Sequence, residues 1–257
     1  MLGAIIGDII GSTFEHYPIK TKDFELFRPG SRFTDDTVMT IAVADALLSD
    51  MNFAKYLERY YYHYPNLPYG GMFHDWARAN VQKPYNSWGN GSAMRVSPAA
   101  YAGNSIDDVL DIALKTAEVT HNHPEGIKGA QATALVIFLA LKGKCNTELI
   151  KEITTRFEYD LDRRLVDLRP DYFCDLSCQN TVPEAIICFL EADSYEDAIR
   201  NAISLGGDAD TMACIAGSFA EARWGIPEDI KEKAYTYLDD RIINVLERFY
   251  KTFVSES

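Results

Sequence analysis

Apolar residues recur three or four apart over most of this chain, which is the spacing of helices with one buried face. Gly3, Gly7 and Gly11 repeat every four residues, so the first apolar segment reads as a helix with one glycine face. Such a face lets a neighbouring helix backbone come close, at some cost in helix propensity. Residues 38–48 (VMTIAVADALL) are apolar almost all round, as expected of a helix in the middle of a bundle. Residues 126–142 predict a second central helix. Ser105 with Asp108, Thr181 with Glu184 and Ser194 with Asp197 are capping pairs ahead of apolar-periodic runs. The segment after Pro227 is amphipathic and predicts an outer helix that closes the fold. No run alternates in period two with β-branched enrichment, so strands are not expected. Residues 18–34, 63–74, 82–98 and 158–181 read as loops rich in proline and aromatics. Without a repeat or linker, residues 1–257 are predicted to form a single all-α domain.

Composition narrows the function. A formal net charge of −13 argues against sequence-independent nucleic-acid binding, which needs a basic surface to displace counterions. An anionic ligand requires something local to reverse the field, and a bound cation does so. Cys145, Cys174, Cys178, Cys188 and Cys214 are too irregular for a disulfide framework or a CxxC metal site, and read as free thiols. The amino terminus MLGAIIGDIIGS lacks a basic flank and is interrupted by Asp8, so it reads as neither signal peptide nor membrane span. A cytoplasmic, monomeric protein is the expectation.

Two acidic segments carry the candidate chemistry. Thr34-Asp35-Asp36-Thr37 opens the apolar helix at 38–48, and Gly206-Gly207-Asp208-Ala209-Asp210-Thr211 opens another apolar run. Capping and the helix dipole account for one oxygen at such a start. Two adjacent carboxylates exceed that need, and buried charges require partners or a metal. Carboxylate and hydroxyl oxygens suit hard divalent cations, and the two glycines before Asp208 permit a tight turn and a close ligand. Glu15 follows the glycine-faced helix and is either a solvated glutamate or a third acidic group of the same site.

Residues 85–95 (YNSWGNGSAMR) form a glycine-rich turn without the Gly-Lys-Ser/Thr ending of a Walker loop. The turn is suited to cradling phosphates while an aromatic stacks on a base, and it equally suits a structural turn with a packed tryptophan. Tyr69-Gly70-Gly71-Met72 is a similar, weaker signal. His121 and His123 lack a third nitrogen or sulfur partner for zinc, so His121 is either a ligand-contacting or a satisfied core histidine.

Taken jointly, FTDDT, GNGSAMR, the Thr120-His121 pair before a helix and GGDADT resemble the ADP-ribosylglycohydrolase family, in that family's order, over roughly residues 1–224. The resemblance implies a compact orthogonal helical domain holding two Mg²⁺ or Mn²⁺ ions. It also implies hydrolysis of the bond from C1″ of ADP-ribose to a protein or small-molecule acceptor, by water activated at the metal pair. Carried over by position, Thr34, Asp35, Asp36, Asp208, Asp210 and Thr211 hold metal, and Glu15, Asp36 and Asp208 are catalytic. Gly70, Gly71, Gly89, Asn90, Ser92 and His121 approach the ligand, with Tyr85 or Trp88 against the adenine. Asp75 and Glu125 are the candidate acids for recognising an arginine acceptor. The alternatives are a binder of ADP-ribose without turnover, a metal-dependent phosphohydrolase, or a structural helical protein whose acids only cap.

Overall fold

A computed structural model describes residues 1–254. In chain order its helices are α1 (Leu2–Gly11), α2 (Asp35–Leu47), α3 (Phe53–His63), α4 (Gly71–Arg78) and α5 (Gly91–Met94). There follow α6 (Ser97–Ala102), α7 (Ile106–Glu118), α8 (Pro124–Leu141), α9 (Asn146–Phe157) and α10 (Leu165–Leu168). The last are α11 (Cys178–Leu190), α12 (Tyr195–Leu205), α13 (Ala209–Trp224), α14 (Glu228–Tyr235) and α15 (Asp240–Phe253). Among the described residues the one β-type pairing is an isolated antiparallel bridge between Gly89 and Ser177. The fold is all-α.

Every residue of α1 is buried, and it lies along α13. The glycine face explains how. A Cβ added at Gly7 would sit 2.0 Å from the Ala213 carbonyl oxygen, and one at Gly3 2.4 Å from that of Gly217. At Gly11 it would meet the Asp210 Cα at 2.5 Å. Backbone therefore packs on backbone along the whole of α1, and the end of α1 is fixed against the start of α13. This seam, with the buried lengths of α2, α8 and α11, forms the core.

Ser105 and Ser194 accept hydrogen bonds from the Asp108 and Asp197 N–H groups, as their capping patterns predict. Thr181 does not cap: α11 begins three residues earlier, and the Thr181 hydroxyl donates instead to the Asp175 carbonyl at 3.1 Å. The segment after Pro227 divides into α14 and α15, because Asp239 accepts from the Ile242 N–H and starts a new helix. The expected loops contain short helices, α5 and α10, and α4 begins inside another. These were hidden by their brevity and flanking prolines. All five cysteines are free thiols. No helix among the described residues is long and apolar enough to cross a membrane.

Candidate active site

Asp8, fully buried on α1, organises the first acidic segment. Its carboxylate accepts from the Thr34 N–H at 2.9 Å, the Thr34 hydroxyl at 2.7 Å, the Thr37 N–H at 3.1 Å and the Thr37 hydroxyl. The Thr34 hydroxyl also accepts from the Asp36 N–H at 3.2 Å, the cap expected of it. The start of α2 is thus fastened to α1, with Asp35 and Asp36 displayed beside it.

The second segment reaches the same place through the α1–α13 seam. Gly206 and Gly207 have φ of +75° and +79°, a left-handed backbone that turns the chain into α13 and that other residues adopt at a cost. The Thr211 hydroxyl donates to the Asp36 carboxylate at 3.0 Å, joining residues 175 positions apart. Glu15, Asp208 and Asp210 each bring a carboxylate oxygen within 4.8 Å of the others. The Asn90 side-chain amide donates to Asp208 at 2.6 Å and to the Thr181 hydroxyl at 3.3 Å.

Asp36, Asp208 and Asp210 are buried, and Asp35 and Glu15 are partly so. Burial, with a contribution from Asp8, pushes the Asp35 carboxyl up to about 8. Burial likewise holds Asp36 and Asp210 well above the usual carboxylate range, with Asp8 and Asp208 respectively as the largest neighbouring repulsion. Asp208 is raised by burial despite its hydrogen bonds, and burial lifts Asp8 to about 6. Among the described residues no lysine or arginine forms an ion pair with Asp35, Asp36, Asp208 or Asp210, and the basic group nearest Glu15 is His16 at 3.9 Å. Of these converging carboxylates, Glu15, Asp208 and Asp210 could together hold a metal ion. The donors are all oxygen, the ligands that hard divalent cations take.

These acids form one wall of a cavity of about 510 Å³. A second wall carries no carboxylate and is neutral apart from the Arg95 guanidinium at its back. Gly89, Asn90 and Gly91 come from the turn into α5, held by the Asn90 N–H on the Leu176 carbonyl at 2.8 Å. Behind them Arg95 is fully buried, and its guanidinium donates to the Thr116 carbonyl and the Thr120 hydroxyl at 2.8 and 2.7 Å. The Thr120 hydroxyl lies 2.8 Å from His121 Nδ1, whereas its other acceptor, the Ala117 carbonyl, is at the bonding limit of 3.5 Å. Burial and the Arg95 charge hold His121 well below its usual pKa, so the ring is neutral. The Thr120 hydroxyl thus stands against Nδ1, and Nε2 is the ring nitrogen beside Gly91.

Glu15, Asp35, Asp36, Asp208, Asp210 and Thr211 all line this cavity, as do Gly70, Gly71, Tyr85, Gly89, Asn90 and His121. Three other expected residues stand elsewhere. Thr34 is fully buried beneath the wall, bonded to Asp8. Trp88 is half exposed, with its ring 5.3 Å from that of His123. Ser92 donates to the Gly126 carbonyl at 2.7 Å and ties α5 to α8. The residues that sequence reading passed over are Asp8, Thr120 and Arg95 as supports. An acid inside an otherwise apolar, glycine-faced helix was the available signal for Asp8.

The sequence profile of the ADP-ribosylglycohydrolase family matches residues 1–256. An ADP-ribosylhydrolase ARH3 of Homo sapiens is 25% identical, covering 95% of this chain and 90% of that protein. The ADP-ribosylarginine hydrolase Tri1 of Pseudomonas putida is 28% identical over 92% of this chain and 73% of its own. A solved ADP-ribosylglycohydrolase-related protein complex superposes with a TM-score of 0.74 at 23% identity, over 98% of this chain and 96% of that one. That structural likeness concerns the fold.

Proposed function

The chain belongs to the ADP-ribosylglycohydrolase family, and we propose that it hydrolyses the C1″ glycosidic bond of ADP-ribose conjugates in the cavity between the acidic and neutral walls. The observation that carries this reading is the junction of Glu15, Asp208 and Asp210 within 4.8 Å, tied to Asp36 through Thr211. Asp35, Asp36, Asp208, Asp210 and Thr211 would hold two Mg²⁺ or Mn²⁺ ions. Bound there, the ions supply Lewis acidity toward the ribose hydroxyls and lower the pKa of water.

The chain's own residues do the rest. Glu15 stands at the edge of the acidic wall, where its carboxylate can orient the ribose or take the proton of the attacking water. Asn90 fixes the Asp208 carboxylate by the hydrogen bond its side-chain amide donates. His121 offers the Nε2 of its neutral ring to the ligand without adding charge. Tyr85, its ring 5.7 Å from that of His121, closes the neutral end and is the aromatic available to the adenine.

The cavity also bears on the acceptor. Its carboxylates are those of the metal-holding set and Glu15; Asp75 and Glu125 do not line it. A guanidinium would find no spare acid, which favours an oxygen-linked acceptor such as serine over arginine. A release assay on serine-, arginine- and small-molecule-linked ADP-ribose, with and without divalent cation, tests both parts. Metal-dependent release that is fastest from serine is expected. Release without metal would remove the metal proposal, and faster release from arginine would remove the acceptor assignment. Glu15→Gln is expected to lose turnover, and normal turnover would take Glu15 out of the mechanism.

A further inference from the structure

A second cavity, of about 230 Å³, lies between α3 and α15 and has the opposite character. Arg59 and His63 stand one turn apart on α3, while Arg241, Asn244 and Arg248 follow one face of α15 at helical spacing. One carboxylate, Asp45 at the end of α2, lies at the base. It is already engaged, by the Tyr60 hydroxyl at 3.1 Å and by Arg248 at 3.5 Å. Asp239, the neighbouring acid, is bonded to the Tyr64 hydroxyl at 2.8 Å and caps α15.

Arg59 and Arg241 form no ion pair among the described residues. Both are exposed, each 5.9 Å from an aromatic ring, Tyr56 and Tyr64 respectively, and Arg241 also bonds the Tyr64 hydroxyl, a neutral partner that leaves its charge unpaired. After Burial, the charges of Arg241 and then Arg59 are the causes that lower the pKa of His63, so the three groups share one local field. On a chain of net charge −13, two uncompensated guanidinium groups facing one concavity are a local reversal of sign.

We propose that this cleft is a second anion site, taking a compact phosphate-type group between Arg59 and Arg241 with Asn244 as an additional donor. Guanidinium forks suit tetrahedral oxyanions better than they suit halides. The cavity is smaller than the roughly 300 Å³ at which drug-sized ligands begin, so the occupant is inorganic phosphate or a small phosphorylated molecule. A nucleic acid would meet the negative field of the remaining surface. The assignment stands apart from the reading of the acidic cavity, because no residue is shared between the two.

The test is an inorganic phosphate titration in the presence of Mg²⁺, followed by the imidazole NMR signal of His63, which is identified by its loss in His63→Gln. Phosphate is expected to shift that signal saturably and to raise the His63 pKa, since an anion offsets the two arginines. Arg59→Gln and Arg241→Gln should each weaken binding roughly tenfold, the equivalent of one lost charged contact. A shift equalled by chloride at the same ionic strength would mean screening alone and would overturn the site. Undiminished phosphate binding in the Arg59→Gln, Arg241→Gln double variant would overturn it as well.

Discussion

The two walls of the main cavity are built on opposite principles. The neutral wall is finished by its own hydrogen bonds: Arg95 serves Thr120, Thr120 serves His121, and the turn at Asn90 is pinned to Leu176. The acidic wall is precise in position yet unbalanced in charge, with carboxylates held together by α1, α2 and α13 against their mutual repulsion. A wall complete in itself can only receive a ligand. A wall under electrostatic load gains stability from whatever neutralises it, so a cation bound there would be linked to folding.

The sharpest way to break the contrast is Asp210→Ala. Activity is expected to fall by at least ~100-fold, more than loss of an outer-shell partner causes. The Tm gain that saturating Mg²⁺ gives the unaltered protein, roughly 5–10 °C, should disappear. Thermal unfolding of the metal-free variant near neutral pH should show a higher Tm than the metal-free parent, because a carboxyl whose ionisation burial opposes is gone. A lower Tm would mean that the carboxylate serves the fold rather than the site.

Asp8→Asn attacks the same wall from beneath. An asparagine has one acceptor oxygen in place of two, and its NH₂ would face the donors of Thr34 and Thr37. Metal affinity measured by calorimetry should weaken by about 10–100-fold, while the neutral wall is untouched.

The third prediction concerns pH. Asp35 goes from 3.8 to about 8 on folding, and Asp8 from 3.8 to about 6. The native state therefore binds more protons than the unfolded chain across this window, and stability must fall as pH rises. Metal-free protein is expected to lose Tm steadily between about pH 4 and pH 8. Saturating Mg²⁺ should flatten or reverse that slope, since metal binding strengthens as the carboxylates ionise. A rising Tm in metal-free buffer would contradict the electrostatic account.

Gly7→Ala tests the seam that aligns the wall. Its methyl group would lie 2.0 Å from the Ala213 carbonyl, backbone that cannot swing aside. Denaturant unfolding should show a loss of about 1–3 kcal/mol. Thr120→Val, on the neutral wall, should have the smallest effect. Without the Thr120 hydroxyl against His121 Nδ1, KM is expected to rise by less than about tenfold, or ~1.4 kcal/mol, with the Mg²⁺-dependent Tm gain unchanged. Loss of that gain would show that the two walls are coupled.

Much of this architecture was readable from residue order. The glycine repeat at 3, 7 and 11 announced a close helix partner, and the capping serines at 105 and 194 marked helix starts. Short helices such as α5 escaped because four residues span barely one turn and leave no periodicity to read. Thr181 misled because a Ser/Thr followed three residues later by an acid also occurs inside a helix, where the hydroxyl can satisfy itself on a loop carbonyl.

What the amino-acid order determined by itself was local: helical periodicity, the glycine face, the tight turn at Gly206-Gly207, and two acid-rich helix starts. Those properties depend on neighbours within a few residues, and the pattern of side chains encodes them directly. Only the tertiary structure decided that α13 is the partner of the glycine face, that Asp8 bonds Thr34 and Thr37, and that Thr211 meets Asp36. It likewise decided that three arginines and a histidine, from two helices distant in the chain, share a cleft. Such pairings join residues far apart in the chain, so they follow from how whole helices bury their faces against one another, which no short window of sequence contains.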